Sequence, residues 1–286
     1  GALVVQGGPG TGKTAVALHR AAYQLYTHRK RLEHSGVLIV APTRGFLRYI
    51  ERVLPSLGET GVVTLTPGEL VPGVRADTHD REDVARVKGS LAMAKVLRRA
   101  VKARQQVPKG PIDLNIDGVH ITLTPGDVRA ARAEARATGR PHNHARTTFV
   151  RAALDRLVEA YVAELTRLER PWAEEDRADL LHDLRTNHDV KVALNRCWLP
   201  YSPQSFARSF FASIERLVHA AGDHMSAREI KLLHRSKDAE WTIEDVALLD
   251  EIAELLGEDD TAAQREKDKA RTTDCLLYTS PSPRDS

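Results

Sequence analysis

The first part of the chain alternates between short apolar runs and stretches with helical periodicity. Apolar runs at residues 2–5, 36–40 and 61–66 predict β-strands, because each is short and is bounded by glycine, proline or polar residues. The stretches at residues 13–28 and 46–54 predict helices between them. Strands that alternate with helices pair in parallel, so the pattern predicts an α/β fold with a parallel sheet.

After about residue 80 the apolar positions recur mainly at helical spacing, which predicts a mostly helical region. The predicted helices cover about 84–101, 127–137, 147–169, 173–195, 204–220 and 226–235.

A β-hairpin is predicted at residues 112–123, where apolar and polar residues alternate on both sides of Asp117-Gly118. Asp-Gly favours the two-residue type I′ turn that joins antiparallel strands. That turn predicts three apolar pairs on one face of the hairpin. The pairs are Ile116 with Val119, Leu114 with Ile121, and Ile112 with Leu123.

Charge is distributed unevenly behind a formal net charge of +3. Residues 84–156 carry 15 Lys and Arg against 5 Asp and Glu, whereas residues 157–260 carry 12 against 22. A basic segment of this kind is typical of a surface that binds a polyanion. The alternative is two solvated helical surfaces of opposite sign, and both interpretations stay open at this point.

Composition narrows the class of protein. No apolar run approaches the roughly 18–20 residues that span a bilayer, so we expect no association with membranes. Cys197 and Cys275 are too few for a disulfide scaffold and indicate a cytoplasmic protein, with Cys197 a small buried residue. The sequence His-Asn-His at residues 142–144 has no accompanying carboxylates or cysteines, so we interpret it as a loop and expect no structural metal.

Residues 7–14 match the phosphate-binding pattern G-x-x-x-x-G-K-T, between a predicted strand and a predicted helix. Glycines allow backbone N–H groups to surround a phosphate, and the helix N-terminus favours its negative charge. Lys13 and Thr14 are the predicted catalytic residues: Lys13 contacts the β- and γ-phosphates of ATP, and Thr14 binds Mg²⁺. The predicted nucleotide-binding residues are Gly7, Gly8, Pro9, Gly10, Thr11, Gly12, Lys13 and Thr14.

Longer sequence blocks around this loop resemble superfamily 1 helicase-like ATPases, and in particular the HelD group, whose ATPase core is similar to UvrD. The resemblance extends over nearly all of residues 1–260. It implies a RecA-like P-loop fold, ATP hydrolysis, and a role in releasing or recycling stalled RNA polymerase. The blocks that carry it are residues 6–14, 36–43, 46–50, 141–146 and 241–257.

The same resemblance implies a domain organisation in which a large insertion contacts RNA polymerase. It also implies that the Walker B strand, the arginine finger and the second RecA-like domain lie outside this chain, which is then expected to be a fragment with little ATPase activity of its own. The implied parts are a partial ATPase core at 1–80, the insertion with its hairpin at 81–240, a returning helix at 241–260 and a linker at 261–274.

Two alternatives to this function remain open. One is a DNA helicase of the same superfamily, and the other is a nucleotide-binding docking module without catalysis. In true helicases the motif resembled by Pro42, Thr43 and Arg44 contacts single-stranded DNA, so these residues are the nucleic-acid candidates. Their position after a predicted strand is equally consistent with an ordinary helix cap.

Two segments carry sequence patterns that we do not expect to belong to the functional site. Residues 248–251 read Leu-Leu-Asp-Glu like a Walker B motif, but their surroundings predict a helix that begins near Thr242 and ends at Gly257. Residues 275–286 resemble translated sequencing-adapter DNA, with a natural Ser/Pro-rich linker as the alternative. We therefore leave both out of the predicted site.

Overall fold

Two small sheets and a larger set of helices make up an α/β protein that is mostly helical. The computed structural model describes residues 2–28, 37–53 and 62–258. The chain divides into two compact units. The first comprises Gly1–Ala85 and Glu240–Ala247, and the second comprises Arg86–Ala239 and Leu248–Ser286.

The first unit contains two parallel strands, each of which follows a helix in the sequence. Strands β1 and β2 pair in register from Val37 opposite Val62 to Val40 opposite Leu65. Leu18 and Ile50, one from each helix, are buried together against these strands. The elements are α1 (Lys13–Thr27), β1 (Val37–Val40), α2 (Arg44–Val53) and β2 (Val62–Leu65).

The predicted strand at residues 2–5 does not form, which corrects the sequence prediction. Leu3 and Val4 are 54% and 78% exposed, and no described residue pairs with this segment. Apolar character shows that a segment gains from burial, but a strand also requires a neighbour to satisfy its N–H and C=O groups. Among the described residues, β1 and β2 form the whole of the parallel sheet.

The predicted hairpin is confirmed, with the predicted register. Strands β3 (Ile112–Ile116) and β4 (Val119–Leu123) pair as Ile112 with Leu123, Leu114 with Ile121, and Ile116 with Val119. Asp117 and Gly118 have φ angles of 50° and 79°, as a type I′ turn requires. The apolar face of the hairpin lies in the main core of the second unit.

Helices supply the rest of the structure. The longest, α6, contributes Phe149, Leu154 and Leu157 to the core that also buries the hairpin. The helices are α3 (Glu82–Lys88), α4 (Leu91–Ala103), α5 (Pro125–Ala137), α6 (His142–Arg167), α7 (Arg177–Thr186), α8 (His188–Cys197), α9 (Pro203–Phe211), α10 (Ile214–Ala221), α11 (Ala227–Leu233) and α12 (Ile243–Leu256).

Three predicted helices are each divided into two shorter helices. A polar residue lies at each division. Asn187 separates α7 from α8, and its side chain accepts hydrogen bonds from the N–H groups of Asp189 and Val190. Ser213 caps α10 in the same way, and Ser90 precedes α4. Buried apolar residues recur on both sides of each break, so periodicity alone does not reveal the break.

The helix predicted around residues 248–251 is confirmed as α12. Before it, Thr242 donates hydrogen bonds from its backbone N–H and its hydroxyl to one oxygen of Asp245, both at 3.0 Å. Gly257, with φ of 69°, ends the helix. Asp250 is exposed on its polar side, so this motif is not the end of a strand. The segments predicted at 261–274 and 275–286 lie outside the described residues.

No helix within the described ranges is both long enough and apolar enough to cross a membrane.

Candidate nucleotide-binding site

The loop before α1 contains two glycines with a left-handed backbone. Gly10 and Gly12 have φ angles of 80° and 77°, in the left-handed region that glycine adopts without strain. Gly12 is the N-cap of α1, yet no side chain caps the helix and its first turn holds no acidic residue. The first N–H groups and the positive end of the helix dipole are therefore left for an anion.

Lys13 is folded back across the loop. Its Nζ donates a hydrogen bond of 2.7 Å to the carbonyl oxygen of Gly7 and another to that of Gly8. The Thr11 hydroxyl donates to the same Gly8 oxygen at 2.9 Å. The ammonium group is thus held beside the loop by neutral carbonyl oxygens. The negatively charged oxygens of a phosphate can take the place of these acceptors.

A close contact within the loop, and not the backbone angles, explains why position 7 is a glycine. A Cβ on Gly7 would lie 2.5 Å from the Thr11 hydroxyl, so any larger residue would displace that side chain. Gly8, Gly10 and Gly12 face open space instead. Thr14 follows Lys13 in the first turn of α1. Glycines, lysine and threonine together fit the phosphates and Mg²⁺ of a nucleotide.

Residues 42–44, after β1, form a helix cap, which is one of the two interpretations of this segment. The Thr43 hydroxyl accepts a hydrogen bond from the Phe46 N–H at 3.3 Å, at the start of α2. Arg44 is ion-paired with Glu69 through its guanidinium. The pKa of Glu69 is lowered, first by a hydrogen bond from the Thr66 backbone and also by Arg44, while burial opposes the shift. Contact of this segment with DNA stays a prediction.

Residues 142–144 are not a loop, which corrects their interpretation: they begin α6, and His142 and Asn143 are buried. The Nε2–H of His142 donates to the Leu199 carbonyl at 2.9 Å, which leaves Nδ1 to accept from Gln105 at 3.4 Å. Burial lowers the pKa of His142 to about 4, the Leu199 hydrogen bond opposes this, and Arg146 and Arg104 add to it. This histidine is therefore a neutral structural group.

Asn143 connects three parts of the second unit. Its side-chain amide donates to the carbonyls of Tyr201 and Gly257 at 3.0 and 2.9 Å, and its oxygen accepts from the Tyr201 N–H at 3.1 Å. Beside it, the Trp198 indole donates to the His142 carbonyl at 3.1 Å. Sequence reasoning missed this network, since its only local signal is a polar pair directly after Pro141.

Among the described residues, neither Cys197 nor any cluster of metal-ligating side chains forms a reactive site. Cys197 is buried, as predicted, and burial raises the pKa of its thiol, which disfavours the reactive thiolate. Over the described parts of the chain, no group of three or more His, Cys, Asp or Glu is placed to hold a metal ion.

Neither a protein-family model nor a curated protein matches this chain. A fold by itself does not determine a function, so residues 7–14 are the feature of this chain that bears most directly on function. The resemblance to HelD-like ATPases stays a prediction.

Proposed function

We propose that this chain binds ATP and Mg²⁺ at residues 7–14, as the nucleotide site of a RecA-like superfamily 1 ATPase of the HelD type. The observation that carries the proposal is the loop itself. Its sequence matches the Walker A pattern, two of its glycines are left-handed, and it leads into a helix N-terminus that no side chain caps. Each of these features favours a bound phosphate for a separate physical reason.

Each residue then has a defined role. Backbone N–H groups between Gly7 and Gly12 hold the phosphates, and Lys13 exchanges its carbonyl acceptors for phosphate oxygens and offsets their charge. Thr14 ligates Mg²⁺ through its hydroxyl. Bound ATP with Mg²⁺ supplies a transferable phosphoryl group. Residues 7–14 position and neutralise that group.

Replacing Lys13 with alanine is expected to weaken Mg-ATP binding by about tenfold or more, because a hydrogen bond to a charged group contributes about 1.5–3 kcal/mol. Isothermal titration calorimetry on the whole chain measures this. The matched control is Arg20→Ala, which removes one exposed positive charge from the same helix, two turns further on. Equal affinities of wild type and Lys13→Ala would exclude the assignment.

For the biological target we propose RNA polymerase, with residues 81–240 as the contacting part. Two features support this: the family resemblance and the excess of basic residues at 84–156. The DNA-helicase alternative rests on Pro42, Thr43 and Arg44, which lie shortly after Val40 at the carboxyl end of β1, where ligands of parallel α/β sheets bind.

Binding assays separate the two targets. We expect the chain to capture purified core RNA polymerase in a nucleotide-dependent pulldown and to show no comparable affinity for a single-stranded oligonucleotide. Binding to the oligonucleotide alone, weakened by Arg44→Ala, would favour the helicase instead. Crosslinks from Arg98, Arg99 and Arg132 that reach only naked DNA would also contradict the polymerase proposal.

A further inference from the structure

The second unit contains a cavity of about 450 Å³ with a strongly basic wall. It lies between α4, the connection from α5 to α6, and the first turn of α6. Arg98 and Lys102 approach from α4, Arg136 from the end of α5, and Arg140 from the connection. Glu254 is the one acidic residue of the lining.

The described residues leave these positive charges without an ion pair. Within the part of the chain that the structure describes, Arg98, Lys102 and Arg140 form no ion pair, and neither does Glu254. Side chains of like charge that line one cavity repel each other, and an anion between them offsets this repulsion. The cavity therefore favours a negatively charged ligand.

Arg136 is held in place by neutral partners. Its Nε donates to the Gln105 side-chain oxygen at 2.6 Å, and its Nη2 donates to the Lys102 carbonyl at 3.2 Å. The pKa of Arg136 is lowered, first by burial and then by repulsion from Arg132. A guanidinium that is already oriented loses little freedom on binding, and its planar donors match phosphate oxygens.

The floor of the cavity is apolar. Val101, Ala145 and Trp198 are each at most 5% exposed, and they lie beneath the basic wall. Pockets of roughly 300–1,000 Å³ with an apolar floor and a few convergent polar groups are typical of sites for small molecules. The ligand is thus expected to combine negative charge with an apolar or planar part.

We infer that this cavity is a second phosphate-binding site, and that it takes a small phosphorylated molecule of the nucleoside-polyphosphate class. Arg98, Lys102 and Arg140 contact the phosphates at the rim, and the fixed Arg136 contacts them from the wall. This site consists of residues of the second unit alone. It goes beyond the proposed nucleotide site of the first unit and stands without it.

Phosphate groups also occur along a nucleic-acid strand, so the test uses two probes. Inorganic tripolyphosphate, titrated by calorimetry, represents the free source, and a labelled 20-nucleotide oligothymidine, followed by fluorescence anisotropy, represents the strand. The starting protein is the whole chain carrying Lys13→Ala, so that the first unit contributes little. Each titration compares proteins that share this background, so the outcome does not depend on whether residues 7–14 bind ATP.

The pocket variant is Arg98→Ala with Lys102→Ala, two exposed side chains without ion pairs among the described residues. Circular dichroism checks that its fold is unchanged, as we expect for exposed positions. We expect it to bind tripolyphosphate about a hundredfold more weakly than its background, because it lacks two charge-assisted hydrogen bonds and the loss of each costs about tenfold. The control removes two exposed charges of the same basic segment outside the cavity, Lys109→Ala with Arg129→Ala. It should bind like the background.

Each outcome decides the matter. Selective loss of tripolyphosphate binding in the pocket variant supports the inference as stated. Selective loss of oligothymidine binding alone, with the slope of log K against log salt reduced by about 1.4 for two lost contacts, supports a phosphate site that serves nucleic acid. Equal binding by the pocket variant, the control and the background would overturn the inference, as would equal losses in the variant and the control.

Discussion

Replacing Asn143 with alanine is expected to lower the free energy of unfolding of the second unit by about 3 kcal/mol. The side chain is 6% exposed and makes three hydrogen bonds, two to the backbone of Tyr201 and one to the carbonyl of Gly257. Alanine leaves these three backbone groups without their partner. An unsatisfied buried group costs about 1–3 kcal/mol, and the lower part of that range applies because Tyr201 and Gly257 are half-buried.

Urea denaturation followed by tryptophan fluorescence measures this effect, because Trp198 is hydrogen-bonded to the neighbouring His142 carbonyl. The control is Thr147→Ala, on the same helix, where an exposed hydroxyl donates to the His144 carbonyl. Its effect should stay within about 0.5 kcal/mol, as for ordinary surface substitutions. A loss of less than about 1 kcal/mol for Asn143→Ala would show that the network contributes little.

Acidification is expected to destabilise the second unit through His142, well before the carboxylates titrate. Its pKa of about 4 in the folded chain lies below its ordinary value of 6.5, chiefly because the ring is buried. The unfolded chain therefore binds a proton more tightly than the folded chain. The stabilisation is fully present above pH 6.5 and is lost as the pH falls towards 4. Between pH 7 and pH 5 the expected loss is about 2 kcal/mol.

The comparison that isolates this effect is wild type against His142→Gln, with the free energy of unfolding measured at pH 7, 6 and 5. Glutamine retains a donor for the Leu199 carbonyl but does not titrate, so the variant should lose most of the pH dependence in this range. Glu164 and Glu229, whose pKa values are lowered by hydrogen bonds that they accept from Arg167 and Ser226, affect stability only below about pH 4.5. Parallel pH curves for the two proteins would contradict a buried neutral histidine.

Both predictions concern residues that we interpreted from the sequence as a loop. This interpretation was wrong for a physical reason. Asn143 and Gly257 are 114 positions apart, and His142 and Leu199 are 57 apart, so no local pattern contains their hydrogen bonds. A polar pair at a helix start looks solvated until the chain segments that cover it are known. Helix breaks at Asn187 show the same limit, because periodicity records which side is buried and not where a cap interrupts it.

Features with local causes could be predicted from the sequence alone. The hairpin register follows from alternation about Asp117-Gly118, and α12 follows from apolar spacing between Thr242 and Gly257. The spacing of Gly7, Gly12 and Lys13 likewise predicts a phosphate loop, whose left-handed glycine at position 12 lies within that same short segment.

Which segments acquire partners depends on contacts between distant parts of the chain, and no local pattern contains these. Residues 2–5 are as apolar as the residues of β1, yet they form no strand, because a strand depends on a neighbour as well as on its own side chains. The basic segment at 84–156 became a candidate site in the same way. Charge alone left two interpretations open, and folding adds that Arg98 and Arg136 line one cavity with an apolar floor.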